Sequence, residues 1–230
     1  MNRLLLVLLS LLLAFGAGVS GCAKSDEWKA LNAEAVSLYR QGQYDRAIEV
    51  AKKAIEVAEQ TKGPDHPDVA KSLNSLAEIY NTQGRYAQAE PLYKRALAIR
   101  EKALSPDHPS LGRSLGSLAL LYHAQGQYAQ AEPLYKRSLA IYEKALDPDH
   151  PEIATTLNNV AELYRAQAQY AQAEPLYKRS LAIWEKAFGP DHPLVADSLE
   201  NLAALYKATN RPEEAEALKK RAAAIRAIKR

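Results

Sequence analysis

The chain has 230 residues, of which 47% are hydrophobic and 25% charged, and a formal net charge of +3. These proportions are ordinary for a soluble globular protein, and the length allows one large or two small domains. A charge this near neutral, without a basic stripe with interleaved aromatic residues, excludes nucleic acid as an expected partner.

The N-terminus carries the longest apolar run of the chain. Arg3 precedes an apolar stretch from residue 4 to 19, and small residues continue to Gly21. This order is typical of a secretory signal peptide, which we assign to residues 1–21. A helix needs about 20 apolar residues to cross a bilayer, and this stretch is shorter. We therefore expect no permanent membrane span.

Cys22, the only cysteine, follows this segment directly. The tetrapeptide Val-Ser-Gly-Cys that ends there resembles the bacterial lipobox, in which the cysteine thiol is lipidated before cleavage. The resemblance implies an exported lipoprotein held to a membrane by acyl chains on Cys22, with residues 22–27 as a short tether. Ala23 replaces the Asp of similar inner-membrane lipoproteins, which favours the outer membrane, facing the periplasm. The alternative is a chance cysteine at an ordinary cleavage site.

A period of 42 residues organises the rest of the chain. The tetrapeptide Pro-Asp-His-Pro begins at Pro64, Pro106, Pro148 and Pro190. The decapeptide Tyr-Ala-Gln-Ala-Glu-Pro-Leu-Tyr-Lys-Arg begins unchanged at Tyr86, Tyr128 and Tyr170. Such regularity indicates a repeat architecture. We divide residues 28–230 into the repeats 28–69, 70–111, 112–153, 154–195 and a truncated 196–230.

Each repeat predicts two amphipathic helices. In the second repeat, apolar residues from Leu73 to Tyr80 recur at three- and four-residue spacing, which predicts a first helix, helix A. A second apolar stripe from Tyr86 to about Leu104 predicts helix B. Pro67 and its counterparts at 109, 151 and 193 stand where a helix favours proline, at the start of each following helix A.

Glycine closes the turn between the two helices in the first three repeats, at Gly42, Gly84 and Gly126. Glycine suits a residue that ends a helix in the left-handed conformation. Ala168 and Asn210 replace it later. Asn tolerates positive φ but Ala does not, so we expect the turn of the fourth repeat to be closed differently or strained.

The pattern of large and small residues resembles the tetratricopeptide repeat signature, here carried by Leu73, Leu76, Ala77 and Tyr80, followed by Ala89 and Tyr93. The usual period is 34 residues. The longer unit with its Pro-Asp-His-Pro loop is similar to the repeats of kinesin light chains. The resemblance implies an all-α fold, a right-handed α-solenoid of about five helix-turn-helix repeats whose A helices line a concave ligand-binding face.

The first repeat departs most from this pattern. Leu38 stands in the place of Tyr80, Glu34 in that of Leu76 and Ala51 in that of Tyr93. Its first helix should therefore pack least well.

The resemblance also places a peptide-binding groove on helix A. The equivalent positions are Lys71, Asn74 and Glu78, then Arg113, Gly116 and Leu120, then Thr155, Asn158 and Glu162. Asn74, Asn158, Asn159 and Asn201 are attractive because a side-chain amide donates and accepts at once, as the backbone of an extended peptide requires. The alternative is that they are ordinary exposed helix residues. A specific carboxylate ligand is not expected, because Lys71 and Arg113 are the only basic residues at comparable sites of adjacent repeats.

Catalytic and metal chemistry is not indicated. The histidines at 66, 108, 150 and 192 each follow an aspartate, but equivalent atoms of stacked repeats lie about 8–10 Å apart and cannot share one ion. We interpret them as loop residues and His123 as a surface residue. No nucleophile elbow or glycine-rich phosphate loop is present in the sequence. We expect no enzyme, no cofactor, no metal and no small-molecule substrate.

The sequence therefore predicts a lipid-anchored scaffold or adaptor of the cell envelope that binds a peptide segment or a helix of other proteins and so assembles or regulates a complex. An alternative is a structural envelope protein that binds lipid or envelope polymer through the basic residues 219–230. An enzymatic role would require a buried polar pocket that the sequence does not reveal.

Overall fold

A computed structural model describes residues 27–228, and this part of the chain forms ten α-helices joined by short turns. The helices are α1 (27–40), α2 (Tyr44–Lys62), α3 (Pro67–Thr82), α4 (Tyr86–Ala103), α5 (Pro109–Ala124), α6 (Tyr128–Ala145), α7 (Pro151–Ala166), α8 (Tyr170–Phe188), α9 (Pro193–Ala208) and α10 (Pro212–Ile228). The odd-numbered helices are the predicted A helices and the even-numbered ones the predicted B helices. The all-α prediction, with helices paired as helix-turn-helix repeats, is confirmed.

The helices form two compact units that divide between Leu104 and Ser105. Unit 1 contains α1 to α4, and unit 2 contains α5 to α10. The signal peptide and Cys22 lie outside the described residues. Within residues 27–228, no helix is both long and apolar enough to cross a bilayer.

Each pair packs through the apolar stripes read from the sequence. In unit 1, Leu73, Leu76 and Tyr80 on α3 are buried together with Tyr93 on α4. In unit 2, the core between α6 and α10 includes Leu157, Trp184 and Leu199 among its large side chains. One helical pair cannot bury such a stripe by itself, so stacking of successive pairs is what removes it from water.

The first repeat shows the effect of its degenerate sequence. Glu34 is exposed on α1, whereas its counterpart Leu76 on α3 is buried. Trp28 compensates at the other end of α1, because its ring is buried and its Nε1 donates to Ser72 Oγ over 2.8 Å.

The turn of the fourth repeat is closed as in the other repeats. Ala168 adopts φ 58°, close to the 70° of Gly84 and the 72° of Gly126. The amide of Gln169 donates to the carbonyl of Tyr164 over 2.8 Å, as Gln127 does to Tyr122 one repeat earlier. Of the two predicted alternatives, the structure therefore has the strained one, since a Cβ disfavours this conformation.

The Pro-Asp-His-Pro loops have a structural role that sequence reasoning missed. Each histidine is the N-cap of the next A helix; in the second of these loops, His108 Nδ1 accepts from the amide of Ser110 over 3.1 Å. The same bond is made by His66, His150 and His192. Each cap satisfies one amide that the first helical turn leaves without a partner.

The aspartate of a Pro-Asp-His-Pro loop forms an ion pair with a lysine near the end of the B helix that follows the next A helix. Asp65 pairs with Lys102 in unit 1, and Asp107 and Asp149 pair with Lys144 and Lys186 in unit 2. Within the described residues, no group of His, Cys, Asp and Glu side chains could hold a metal ion. The loops therefore join helices.

The B helices present a charged outer surface. Within the B helices, Lys94, Lys136 and Lys178 each lie 2.7 Å from the glutamate four residues before them. Other pairs link successive B helices, for example Arg95 with Glu59 and Arg179 with Glu143. Exposed pairs contribute little individually, but they account for the charges on this surface.

Candidate peptide-binding surface

The predicted binding residues lie along furrows between successive A helices, and we call this surface the helix-A face of each unit. Unit 1 has one such furrow, between α1 and α3. Unit 2 has two, between α5 and α7 and between α7 and α9.

The furrow of unit 1 is basic. A cavity of about 470 Å³ is bordered by Lys29, Arg40 and Lys71, and Trp28 also lines it. The ammonium of Lys71 is 5.6 Å from the centre of the Trp28 ring, within the range of a cation–π contact. The side chains that line this cavity include three basic residues and no acidic one.

Glu78 is the one acidic side chain among the predicted positions of this furrow. Desolvation by the surrounding protein raises the pKa of Glu78, although its side chain keeps contact with water. Both observations fit a carboxylate at the base of a furrow. Its charge lies near Tyr93, whose pKa is raised chiefly by burial and also by Glu78. One helical turn before Glu78 on α3, Asn74 has a buried Oδ1 that accepts no hydrogen bond from residues 27–228.

The α5–α7 furrow of unit 2 contains a notch built from small residues. Gly112 and Gly116 lie one turn apart on α5 and border a cavity of about 150 Å³. Tyr142 explains the first glycine, because a Cβ on Gly112 would lie 2.9 Å from its ring. At Gly116 a Cβ would meet only Ser138 Oγ at 3.5 Å, so nothing in the packing requires this glycine. We call the cavity the glycine notch; Leu120 and Asn159 also line it.

Leu120 makes the notch unlike its counterparts. It is one of three large hydrophobic side chains that are exposed among the described residues, with 43% of its surface accessible. The equivalent residue of the next repeat, Glu162, accepts a hydrogen bond of 2.6 Å from the buried Tyr177 hydroxyl. Leucine offers no acceptor, and the buried hydroxyl of Tyr135 has no partner within the described part of the chain.

Glu162 is held ionised. The hydrogen bond from Arg165 lowers the pKa of Glu162, and the Tyr177 hydroxyl adds to this effect. Burial, with a further contribution from Glu162, raises the pKa of Tyr177. His123 is half-buried near this cluster, with its ring 5.5 Å from that of Tyr128, and burial lowers its pKa. The prediction that His123 is a surface residue is thus only partly right.

The α7–α9 furrow brings two predicted asparagines together. Asn201 Nδ2 donates to Asn158 Oδ1 over 2.9 Å, and we call these residues the asparagine pair. They border a cavity of about 310 Å³ that Trp184, Leu194 and Asp197 also line. The pair is free to make further bonds, because each amide carries more donors and acceptors than this one contact uses.

The structure thus divides the predicted residues among three places. Lys71, Asn74 and Glu78 belong to α3 in unit 1. Arg113 and Asn159 border the glycine notch, and Arg113 lies 3.2 Å from Glu152. Asn158 and Asn201 meet in the next furrow, and Glu162 bonds to Arg165 and Tyr177. Their role in binding stays a prediction.

The C-terminal helix has fewer unpaired charges than its sequence indicates. Arg226 lies 2.8 Å from both Asp197 and Glu200, and Arg221 lies 2.6 Å from Glu185. These pairs hold α10 against α8 and α9. They leave Lys219 and Lys220 as exposed basic residues within the described part of this helix.

Comparison with known proteins agrees with this architecture. The tetratricopeptide repeat family profile matches residues 29–102, 73–144, 111–186 and 152–227. None of the curated proteins matches the chain.

Solved structures that are similar to this chain include proteins of several organisms. A Podosopora anserina protein with nearly identical TPR-like repeats, assigned to the kinesin light chains, has 29% identity and a TM-score of 0.73, over 88% of this chain and 96% of that one. BtubC (BKLC) from P. vanneervenii has 23% identity and a TM-score of 0.76, over 91% and 89%. PilF from Pseudomonas aeruginosa has 18% identity and a TM-score of 0.64, over 87% and 77%. The last two are similar in fold alone.

The family consists of repeat scaffolds that typically bind other proteins and are generally not enzymes. With the profile matched along nearly all of the described residues, the chain belongs to the tetratricopeptide repeat family, and its repeats are of the kinesin light chain-like kind.

Proposed function

We propose that this protein is a lipid-anchored scaffold of the cell envelope that binds a peptide segment or a helix of partner proteins on its helix-A face, and so assembles or regulates a complex. The asparagine pair is the observation that carries the binding part of this proposal. Asn158 and Asn201 are already fixed to each other over 2.9 Å, beside a cavity of about 310 Å³.

The chemistry of the pair matches a peptide group. An extended peptide offers one N–H donor and one C=O acceptor per residue, and each needs a partner when it leaves water. The remaining amide groups of Asn158 and Asn201 supply both kinds of partner. The two asparagine side chains already hold each other in place. Binding of a ligand would therefore cost them little additional side-chain entropy.

Cross-linking in intact cells tests the proposal. We expect a defined set of partner proteins to be captured by the native chain and lost from a variant with Asn158→Ala and Asn201→Ala. The matched control carries Lys219→Ala and Lys220→Ala, which leave the helix-A face unchanged. Partners that persist in the asparagine variant and disappear in the lysine variant would instead support the alternative, binding of an envelope component through the basic C-terminus.

Membrane attachment has its own experiment. Acyl chains on Cys22 contribute about 0.8 kcal/mol per buried CH₂, so two chains or more would anchor the protein stably. Cys22→Ser should leave an uncleaved or soluble protein without acyl chains, detected by mass spectrometry and by fractionation of the envelope. A mature, membrane-bound Cys22→Ser protein would contradict the anchor and leave the binding proposal untouched.

A further inference from the structure

We infer that the helix-A face of unit 2 takes an extended, uncharged segment with one compact aliphatic side chain, seated in the glycine notch about three residues from the peptide group that the asparagine pair binds. This inference rests on the proposed function and specifies the ligand of the same surface.

The glycine notch has the chemistry of a side-chain pocket. Asn74 and Asn158 occupy the position of Gly116 in the neighbouring repeats, and Glu78 and Glu162 occupy that of Leu120. Helix α5 therefore replaces these two polar side chains by a missing side chain at Gly116 and an exposed apolar one at Leu120. Since a Cβ fits at Gly116, the glycine opens a space rather than relieving a clash.

The size of the notch limits what it accepts. Its volume of about 150 Å³ is half that of the cavity beside the asparagine pair, at about 310 Å³. A compact aliphatic side chain would cover Leu120 and gain the free energy of leaving water. Thr155 borders both cavities, so one ligand can reach from the first to the second.

The spacing of the two sites sets the register. They lie in adjacent furrows of unit 2, and packed helices are about 8–10 Å apart. An extended chain advances about 3.3 Å per residue, so about three residues separate the aliphatic side chain from the bound peptide group.

Charge complementarity sets the remaining requirement. The charged side chains that line the two cavities are Arg113, Glu152 and Asp197. Arg113 is paired with Glu152, and Asp197 is paired with Arg226. A charged ligand side chain would have to displace one of these partners or be desolvated without one, which is unfavourable. The surface therefore fits an uncharged segment.

Selection from a phage-displayed library of random dodecapeptides tests the inference. The target is the complete chain, purified in detergent. We expect enriched peptides to share one aliphatic residue in a stretch free of charged residues. A synthetic peptide of the most enriched sequence then serves as the probe for affinity measurement.

The test variant carries at positions 116 and 120 the asparagine and glutamate that the neighbouring repeats have there. We therefore expect it to keep the fold. Gly116→Asn combined with Leu120→Glu should lower the affinity for the probe peptide by about tenfold or more, because the aliphatic side chain of the probe loses its binding site. Replacement of the aliphatic residue of the probe by Asp should lower its affinity for the native chain by a similar factor. The matched control introduces the same residue types on the exposed start of α8, as Ala171→Asn with Gln172→Glu, and should bind unchanged.

The outcomes separate this inference from the proposed function. Enriched peptides that carry a charge at the shared position, or that bind the notch variant as well as the native chain, would overturn the inference. If their binding were still lost with Asn158→Ala and Asn201→Ala, the proposed function would stand. No enrichment at all would overturn the inference, whereas the proposed function, which includes binding of a helix, would still be decided by cross-linking in cells.

Discussion

Helix α3 of unit 1 and helix α5 of unit 2 face their furrows with different chemistry, although the B helices that follow them begin with the same sequence. At the three compared positions, α3 of unit 1 carries Lys71, Asn74 and Glu78, whereas α5 of unit 2 carries Arg113, Gly116 and Leu120. The decapeptide that begins α4, α6 and α8 is the same, at Tyr86, Tyr128 and Tyr170. Ion pairs link neighbouring B helices within each unit, such as Arg95 with Glu59 in unit 1 and Arg179 with Glu143 in unit 2. In the proposed binding mode, ligand specificity would therefore arise from the A helices.

Each unit contains one tryptophan, which allows the comparison to be measured unit by unit. Trp28 reports on unit 1 and Trp184 on unit 2, and the sequence has two tryptophans in all. Unfolding in urea followed by fluorescence gives the stability around Trp184 in a Trp28→Phe background and that around Trp28 in a Trp184→Phe background.

The largest expected effect concerns the glycines of α5. Gly112→Ala should destabilise unit 2 by about 1–3 kcal/mol, because the new Cβ overpacks against Tyr142. The control is Gly116→Ala on the same helix, which should stabilise by up to about 1 kcal/mol, since alanine favours a helix and its Cβ fits. Equal effects of the two substitutions on the Trp184 transition would contradict the packing described at Gly112.

The equivalent carboxylates of the two units should respond with opposite signs. Glu162→Gln should destabilise unit 2 by about 1–2 kcal/mol at pH 7, because Arg165 and Tyr177 lose a charged acceptor. Glu78→Gln should stabilise unit 1 only slightly, because the ionised carboxylate is partly desolvated but the side chain stays exposed to water.

The pH dependence of the same variants follows from the pKa shifts. The pKa of Glu162 is lowered from its ordinary value of 4.5, so its contribution is complete above that pH and is lost as the pH falls below it. The pKa of Glu78 is raised above 4.5, so its penalty is complete above the raised pKa and is relieved as the pH falls toward 4.5. Urea titrations of both variants between pH 3 and 8 check these expectations. If the two substitutions changed the free energy of unfolding in the same direction, the opposite pKa shifts of Glu162 and Glu78 would be contradicted.

The turns offer a smaller test, again one in each unit. Ala168→Gly in unit 2 should stabilise by about 1 kcal/mol, because it removes the Cβ from a residue at φ 58°. Gly84→Ala in unit 1, at φ 70°, should destabilise by a similar amount. A neutral result at Ala168 would show that this turn relaxes without glycine.

The smallest expected effect is the repair of the Tyr135 hydroxyl. Leu120→Glu should stabilise unit 2 by about 0.5–1 kcal/mol, because the new carboxylate can accept from Tyr135 as Glu162 does from Tyr177. The gain should disappear in a Tyr135→Phe background, which isolates the pairwise contribution. A gain of the same size in both backgrounds would assign it to something other than this hydrogen bond.

Local signals were sufficient to predict the helices. The apolar spacing from Leu73 to Tyr80, the proline at the start of each A helix and the glycine turns each depend on neighbours in sequence. The histidine caps were missed because serine, threonine, aspartate and asparagine are the usual capping residues. The loop aspartates were not predicted to pair with lysine, since Asp65 and Lys102 meet only when a helical pair closes.

The candidate site was predicted only in part, because its contacts cross repeats. The 42-residue period relates Asn201 to Asn159, yet Asn201 bonds to Asn158, one residue out of that register. Asn159 turns instead toward the glycine notch. The notch itself had a readable signal, because Gly112 stands where the other repeats have Ala70, Ala154 and Ala196. Its significance depended on the position of Tyr142, which the sequence alone does not provide.

Site-specific photo-cross-linking in living cells tests the central claim most directly, that partners bind the helix-A face of unit 2. A photoreactive amino acid would replace Leu120 on α5 in one strain and the exposed Gln172 on α8 in another. The account predicts discrete adducts with a partner from position 120, lost when Asn158→Ala and Asn201→Ala are added, and no adduct from position 172. Adducts from position 172 alone would place the interaction on the B helices and contradict the account.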